Sequence, residues 1–274
     1  MMISLFLVLG LSICSPCFAQ ENKEAEQEIE GFSLVQYDDD GAKKWKLNGK
    51  TAEIEGDRVK IDKISALAFG EEVTLKLKAG QGSFDREEST VRLEDNVVVK
   101  TIDGTTLRTD SLDWDTKAKN VVTDENVTIK KADFEVKGKG AEVDLEGKSA
   151  EVKKDVTANI TSMAPSYLGT ADKQQTTTIT CDGPLEINYK KNRAAFLNNV
   201  EVEDREGNLF ADRIDLYFNP ETRRIKCVVA RGNVRIVNGE NVTYSEKAIY
   251  LVDEGRVILP KRPKLVIQNE NAKQ

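Results

Sequence analysis

Strict alternation of apolar and polar residues constrains this chain more than any other feature. In Glu72-Val73-Thr74-Leu75-Lys76-Leu77-Lys78-Ala79, the residues Val73, Leu75, Leu77 and Ala79 share one face. Leu112 and Trp114 alternate with Asp113 and Asp115, and Phe134 and Val136 with Glu135 and Lys137. Ile214, Leu216 and Phe218 alternate with Asp215 and Tyr217. A period of two means strands with one dry face and one wet face, on which outward acids such as Asp113 and Asp215 read as solvated. Few segments sustain the spacing of three and four that a helix needs. Turn signals separate the runs: Asp40-Gly41, Asn48-Gly49, Asp103-Gly104, Glu146-Gly147, Glu206-Gly207-Asn208, Asn219-Pro220 and Asn238-Gly239. Gly and Asn reach the positive φ that tight hairpins require.

The strands repeat as larger units. Asn96-Val97, Asn126-Val127 and Asp155-Val156 recur at roughly thirty-residue intervals, and each is expected to open a strand. A second series runs Asn199-Val200, Asn233-Val234 and Lys264-Leu265. Between these openers, Thr109-Asp110, Ala141-Glu142 and Ala211-Asp212 start further strands, with Lys247-Ala248 a looser echo. Such a period marks stacked hairpin units that cannot bury their faces alone. Residues 162–176, with Pro165, Gly169, a Gln pair and a Thr run, break the pattern and read as a linker between two halves.

The N-terminus reads as an export signal. Residues 1–19 carry no charged side chain, and an apolar run from Ile3 to Leu11 precedes Cys14-Ser15-Pro16-Cys17-Phe18-Ala19. Small residues at Cys17 and Ala19 fit cleavage before Gln20. An uncleaved membrane anchor is the rival, since no Lys or Arg precedes the apolar run. Residues 20–30 are acidic and read as a flexible lead-in. Cys181 and Cys227 remain in the mature chain. A bridge between them would close a loop of about 47 residues, worth ~4 kcal/mol. Two buried free thiols fit equally well.

Composition removes several functions. Histidine is absent, which takes away the commonest general base, the commonest metal ligand and every Ser-His or Cys-His pair. No catalytic residue, metal ligand or cofactor site stands out. A carboxylate pair suited to glycoside cleavage could hide among 47 acids, but nothing singles one out. Net charge is −7, and the basic clusters Lys43-Lys44 and Lys261-Arg262-Pro263-Lys264 are small, so nucleic acid is not an expected partner. No phosphate-binding Gly-Lys-Ser/Thr loop is present, so the chain does not itself hydrolyse ATP.

A sheet with one apolar face must close as a barrel, fold over as a sandwich, or stay partly open and bind something oily. The inward Val, Leu, Ile and Phe, with Trp45 and Trp114, lack the polar anchors of a small-molecule pocket and suit acyl chains or plain core packing. Two stretches carry a family resemblance. Asp40-Gly41, Trp45-Lys46-Leu47-Asn48-Gly49-Lys50-Thr51-Ala52 and Val59-Lys60-Ile61 resemble the start of the periplasmic C-type component of the lipopolysaccharide-transport (Lpt) system, LptC, and the likeness extends to about residue 160. The second half, with Cys181-Asp182-Gly183-Pro184-Leu185, Leu209-Phe210-Ala211-Asp212, Ala230-Arg231-Gly232-Asn233-Val234-Arg235-Ile236 and Lys247-Ala248-Ile249-Tyr250, resembles the OstA/LptA-type domain. Asn198-Asn199-Val200 departs from that family's usual Gly-Asn-Val.

The resemblance implies an all-β fold of two consecutive open β-jellyrolls, at 31–161 and 177–268, followed by a tail at 269–274. It implies lipid A acyl chains as cargo and a periplasmic bridge that passes lipopolysaccharide from an inner-membrane ABC transporter toward the outer membrane. The expected lining is Val97, Val99, Leu112, Trp114, Val127 and Ile129 in the first half. In the second it is Leu185, Ile187, Val200, Val202, Ile214, Leu216, Val234 and Ile236. Partners should dock by edge-strand pairing. The first strand, near Phe32 and Tyr37, should meet the transporter. The last, near Val257, should meet another jellyroll or the outer-membrane translocon. The rival is an exported structural or adhesive β-repeat protein with a closed core and no lipid cargo.

Overall fold

The computed structural model describes residues 27–37, 40–69, 74–162, 175–205, 207–260 and 262–266. The expected export segment at 1–19, residues 20–26 of the expected lead-in, most of the expected linker and the expected tail lie outside the described residues.

Alternation becomes strands throughout. The first nine are β1 (Gln27–Tyr37), β2 (Lys43–Glu55), β3 (Arg58–Phe69), β4 (Thr74–Asp85), β5 (Thr90–Thr101), β6 (Thr106–Asp115), β7 (Asn120–Lys131), β8 (Phe134–Asp144) and β9 (Ser149–Ser162). Then come β10 (Gln175–Cys181), β11 (Leu185–Asn188), β12 (Arg193–Glu203), β13 (Asn208–Phe218), β14 (Ile225–Asn238), β15 (Asn241–Leu251), β16 (Arg256–Ile258) and β17 (Lys264–Val266). Among the described residues one 3-10 turn, Val252–Glu254, interrupts them. No helix among the described residues is long and apolar enough to cross a membrane.

All seventeen strands form one antiparallel sheet. From β1 to β9 each strand pairs with the next. β10 and β11 share one place between β9 and β12. The meander then continues to β15, where β16 and β17 share the final edge. Among the described residues the two edges of the sheet are therefore β1 and the β16–β17 pair. β1 begins at Gln27, inside the segment expected to be a flexible lead-in. Its polar sequence gains order from backbone pairing with β2, which starts at Gln27↔Ile54.

The Asn-Val pairs do not open strands. Asn96-Val97, Asn126-Val127, Asp155-Val156, Asn199-Val200 and Asn233-Val234 lie inside β5, β7, β9, β12 and β14. Thr109-Asp110, Ala141-Glu142 and Ala211-Asp212 likewise sit inside β6, β8 and β13. The pairing register slips at these points, for example between Glu94 and Val97, Thr123 and Asn126, and Leu197 and Val200. Asp95, Asn96, Asp155, Asn198, Asn199 and Asn233 hold φ between 49° and 66°. Each is a bulge, where left-handed residues let a strand carry extra length and bend. In β5 the three exposed residues Glu94, Asp95 and Asn96 separate Leu93 from Val97, yet both are buried.

The bulges align from strand to strand and crease the sheet along its middle. Val97, Val127, Val156, Val200, Ile214 and Val234 at the crease are at most 1% exposed. A flat sheet would leave such residues bare on one side, so the two leaves cover them by folding together, as in a jellyroll. Packing falls into two clusters. The smaller joins Ala52, Ile61, Ile64, Ala79, Leu93, Val97 and Leu112 of β2–β6. The larger runs from Val127 on β7 to Ala248 on β15. It crosses the expected linker without interruption, because β9 pairs with β10 from Ser162↔Gln175 to Val156↔Cys181 and with β11 through Val152↔Leu185. The Asp155 amide donates to Asp182 O (3.1 Å), and Asn198 Nδ2 donates to Gly183 O (2.7 Å). The crease thus passes through the split between β10 and β11.

Candidate functional site

Cross-strand register turns the alternation into two apolar rows, one on each leaf beside the crease. The first row runs Leu34, Leu47, Ala66, Leu77, Val99, Leu107, Ile129, Val136, Ala158, Ile179, Val202, Leu209, Ile236, Thr243, Leu265, each directly paired with the next. It reaches from one edge of the sheet to the other, and Thr243 is its one polar member. At about 4.8 Å per strand it measures roughly 65–70 Å. The second row runs Ile54, Val59, Phe84, Val91, Trp114, Val121, Val143, Ala150, Ile187, Ala194, Leu216, Val228, Tyr250, Val257.

These rows sort the residues expected to line a lipid trough. Val97, Leu112, Val127, Leu185, Val200, Ile214 and Val234 line the crease and are buried by the protein itself. Val99, Ile129, Val202 and Ile236 stand in the first row and are half-buried. Ile187 and Leu216 stand in the second, Ile187 half-buried and Leu216 fully buried. Trp114, also in the second, is 37% exposed and belongs to neither packed cluster. Deep residues hold the fold, and the half-buried ones pack against them while leaving part of their apolar surface exposed. Sequence reasoning overlooked Leu107, Leu209, Phe84, Val121, Val143 and Val228, whose alternation is ordinary. Their membership of a continuous row depends on register, which local pattern does not specify.

The rim of the first leaf is polar. Lys131 Nζ donates to Asp103 Oδ2 (2.7 Å), and the Thr105 amide donates to Asp103 Oδ1 (3.2 Å). The Lys131 ammonium, then the Thr101 hydroxyl, hold the Asp103 carboxyl well below the usual carboxylate range. At the crease between the two clusters, the buried hydroxyls of Thr109 and Thr123 satisfy each other at 3.2 Å.

One open alternative is decided and one expectation needs correction. Cys181 and Cys227 are both free. Cys181 packs in the larger cluster on β10, and burial pushes its thiol up. Cys227 lies on β14, beyond β12 and β13, and alternates with the core-facing Val228. Three strand spacings far exceed the Cα separation a disulfide can bridge. Asp215 does point away from the core, but it is not solvated. It is completely buried beneath Arg193, Arg213 and Arg231.

Both sheet edges expose large apolar side chains. β1 shows Ile29, Leu34, Val35 and Tyr37, and the far edge shows Val257, Ile258, Leu265 and Val266. Unpaired backbone beside exposed apolar residues is the geometry of strand addition.

Comparison with known proteins places these features. Residues 2–161 match a family described as "Lipopolysaccharide-assembly, LptC-related". Residues 178–273 match a second, described as "LptA/(LptD N-terminal domain) LPS transport protein". Among curated proteins none matches the chain. The boundary between the two matches falls between β9 and β10, within one continuous sheet.

Proposed function

The chain belongs to the LptC-related lipopolysaccharide-assembly family, and from that premise we propose that it is a periplasmic bridge segment that passively conducts lipopolysaccharide toward the outer membrane. One observation carries the reading: two apolar rows cross both matched regions, the first from edge to edge of the sheet and the second from β2 to β16. Acyl chains lie along the half-buried residues of those rows. Each methylene moved from water onto such a surface gains up to ~0.8 kcal/mol. The crease is already filled by its own side chains, so cargo is covered on one side only and gains less. Moderate, repeated affinity along an uninterrupted row suits sliding better than storage.

The driving force comes from an inner-membrane ABC transporter at the β1 edge. The β16–β17 edge hands cargo to another jellyroll or to the outer-membrane translocon. Pro260 and Pro263, between β16 and β17, lack amide donors and limit uncontrolled strand growth there. The test is displacement of a fluorescent lipopolysaccharide from the purified chain. Ile129→Asp and Val202→Asp should fold normally by circular dichroism and bind at least tenfold more weakly. Unchanged affinity in both variants would exclude the rows as the lipid path.

A further inference from the structure

The outer face of β12–β14 carries a charged cluster that lipid carriage leaves unexplained. Ile214 and Leu216 point into the core, so Asp215 between them points outward. Asp215 Oδ1 accepts from Arg193 Nε (3.0 Å) and Arg213 Nε (3.1 Å), and its Oδ2 accepts from Arg231. Among the described residues one further carboxylate pairs with these arginines, Glu186, 3.9 Å from Arg193 and 3.8 Å from Arg213. Three guanidiniums therefore face two carboxylates, which leaves one positive charge unbalanced. Cross-strand pairing adds to it. Arg213 lies directly opposite Arg231, and Arg231 directly opposite Lys247. Like charges in direct opposition repel, and the excess sits on a chain whose net charge is −7.

The same contacts fix the guanidiniums in place. Asp215 takes part of each fork, through Arg193 Nε, Arg213 Nε and Nη2, and Arg231 Nη1. The side chains of Arg193, Arg213 and Arg231 remain 27%, 32% and 43% exposed, so part of each stays open to solvent. A row of cations held in place before binding and partly open to solvent suits an oxyanion.

We propose that Arg213, Arg231 and Lys247, braced by Asp215, form a binding site for a phosphate group on the face of the sheet opposite the apolar rows. The site is independent of the cargo reading. The group is either free phosphate or the headgroup of an anionic phospholipid.

The test uses the full chain and inorganic phosphate, with chloride at matched ionic strength as the reference. Phosphate should raise the melting temperature beyond chloride, and calorimetry should show saturable binding. Arg231→Gln should weaken it about tenfold, the loss expected for one charge-assisted contact. Because Arg231→Gln also removes a partner of buried Asp215, Lys247→Gln provides a variant that leaves the brace intact. It should melt normally in chloride and bind phosphate severalfold more weakly. Vesicles containing phosphatidylglycerol separate the two sources. Vesicle binding lost in Lys247→Gln assigns a headgroup, and phosphate binding without vesicle binding assigns the free anion. Equal melting shifts in phosphate and chloride, or wild-type phosphate affinity in both variants, would overturn the proposal.

Discussion

Gly183 sits where β10 gives way to β11, and replacing it with alanine probes the seam between the two matched regions. Its φ is +101°, and a Cβ there would lie 2.5 Å from the Lys153 carbonyl oxygen and 2.9 Å from Lys154 Cα. Both are backbone atoms of β9, so no side chain can swing aside. β9 cannot retreat easily either, because Val152 and Val156 are almost completely buried on either side. The left-handed backbone costs an L-residue roughly 1–2 kcal/mol. Forcing extra atoms into packed surroundings adds about 1–3 kcal/mol, for a total of about 2–5 kcal/mol. Gly104 supplies the control: its φ is +87°, but nothing lies within 4 Å of its Cβ position. Gly104→Ala should therefore cost only the backbone share, about 1–2 kcal/mol. Urea denaturation followed by circular dichroism measures both. If Gly183→Ala costs no more than Gly104→Ala, β9 and β10 are not locked together as described.

Further outcomes follow from the same geometry. In native protein a maleimide should label Cys227 first while Cys181 stays protected, and a non-reducing gel should show no intramolecular bridge. Asp103 has a depressed carboxyl, so its contribution is present above the unfolded carboxylate pKa of about 4 and disappears as pH falls through the lower folded value. The stability gap between wild type and Asp103→Asn should hold from neutral pH to about pH 5 and close in stronger acid. Deleting the residues after Val257 should abolish binding to the next jellyroll, measured by pull-down, while β1–β9 remain folded.

How much of this was legible before the structure depended on the residue. Alternation such as Leu112-Asp113-Trp114 announced strands, and the spacing of Asn96, Asn126 and Asp155 announced a repeated unit. Asn or Asp at positive φ, as at Asn96 and Asp155, serves a hairpin turn and a mid-strand bulge equally well, so the sequence alone places both at strand starts. Only pairing on both sides, as around Asn96 in β5, distinguishes the two. Asp215 looked like any outward acid, because its three arginines come from three different strands. Nothing in 162–176 signals that the flanking strands pair with each other. Long-range register decides that, and it also decides which alternating residues join into a row.

The central claim is that one apolar path crosses both matched regions, and site-specific photo-crosslinking in living cells tests it most directly. A photoreactive residue would replace Val99 and Ile129 before the seam, Val202 and Ile236 after it, and the exposed, outward Asp113 as control. The account predicts lipopolysaccharide adducts at all four row positions, and at Asp113 only background. Adducts confined to one side of the seam, or no stronger at the row positions than at Asp113, would contradict it.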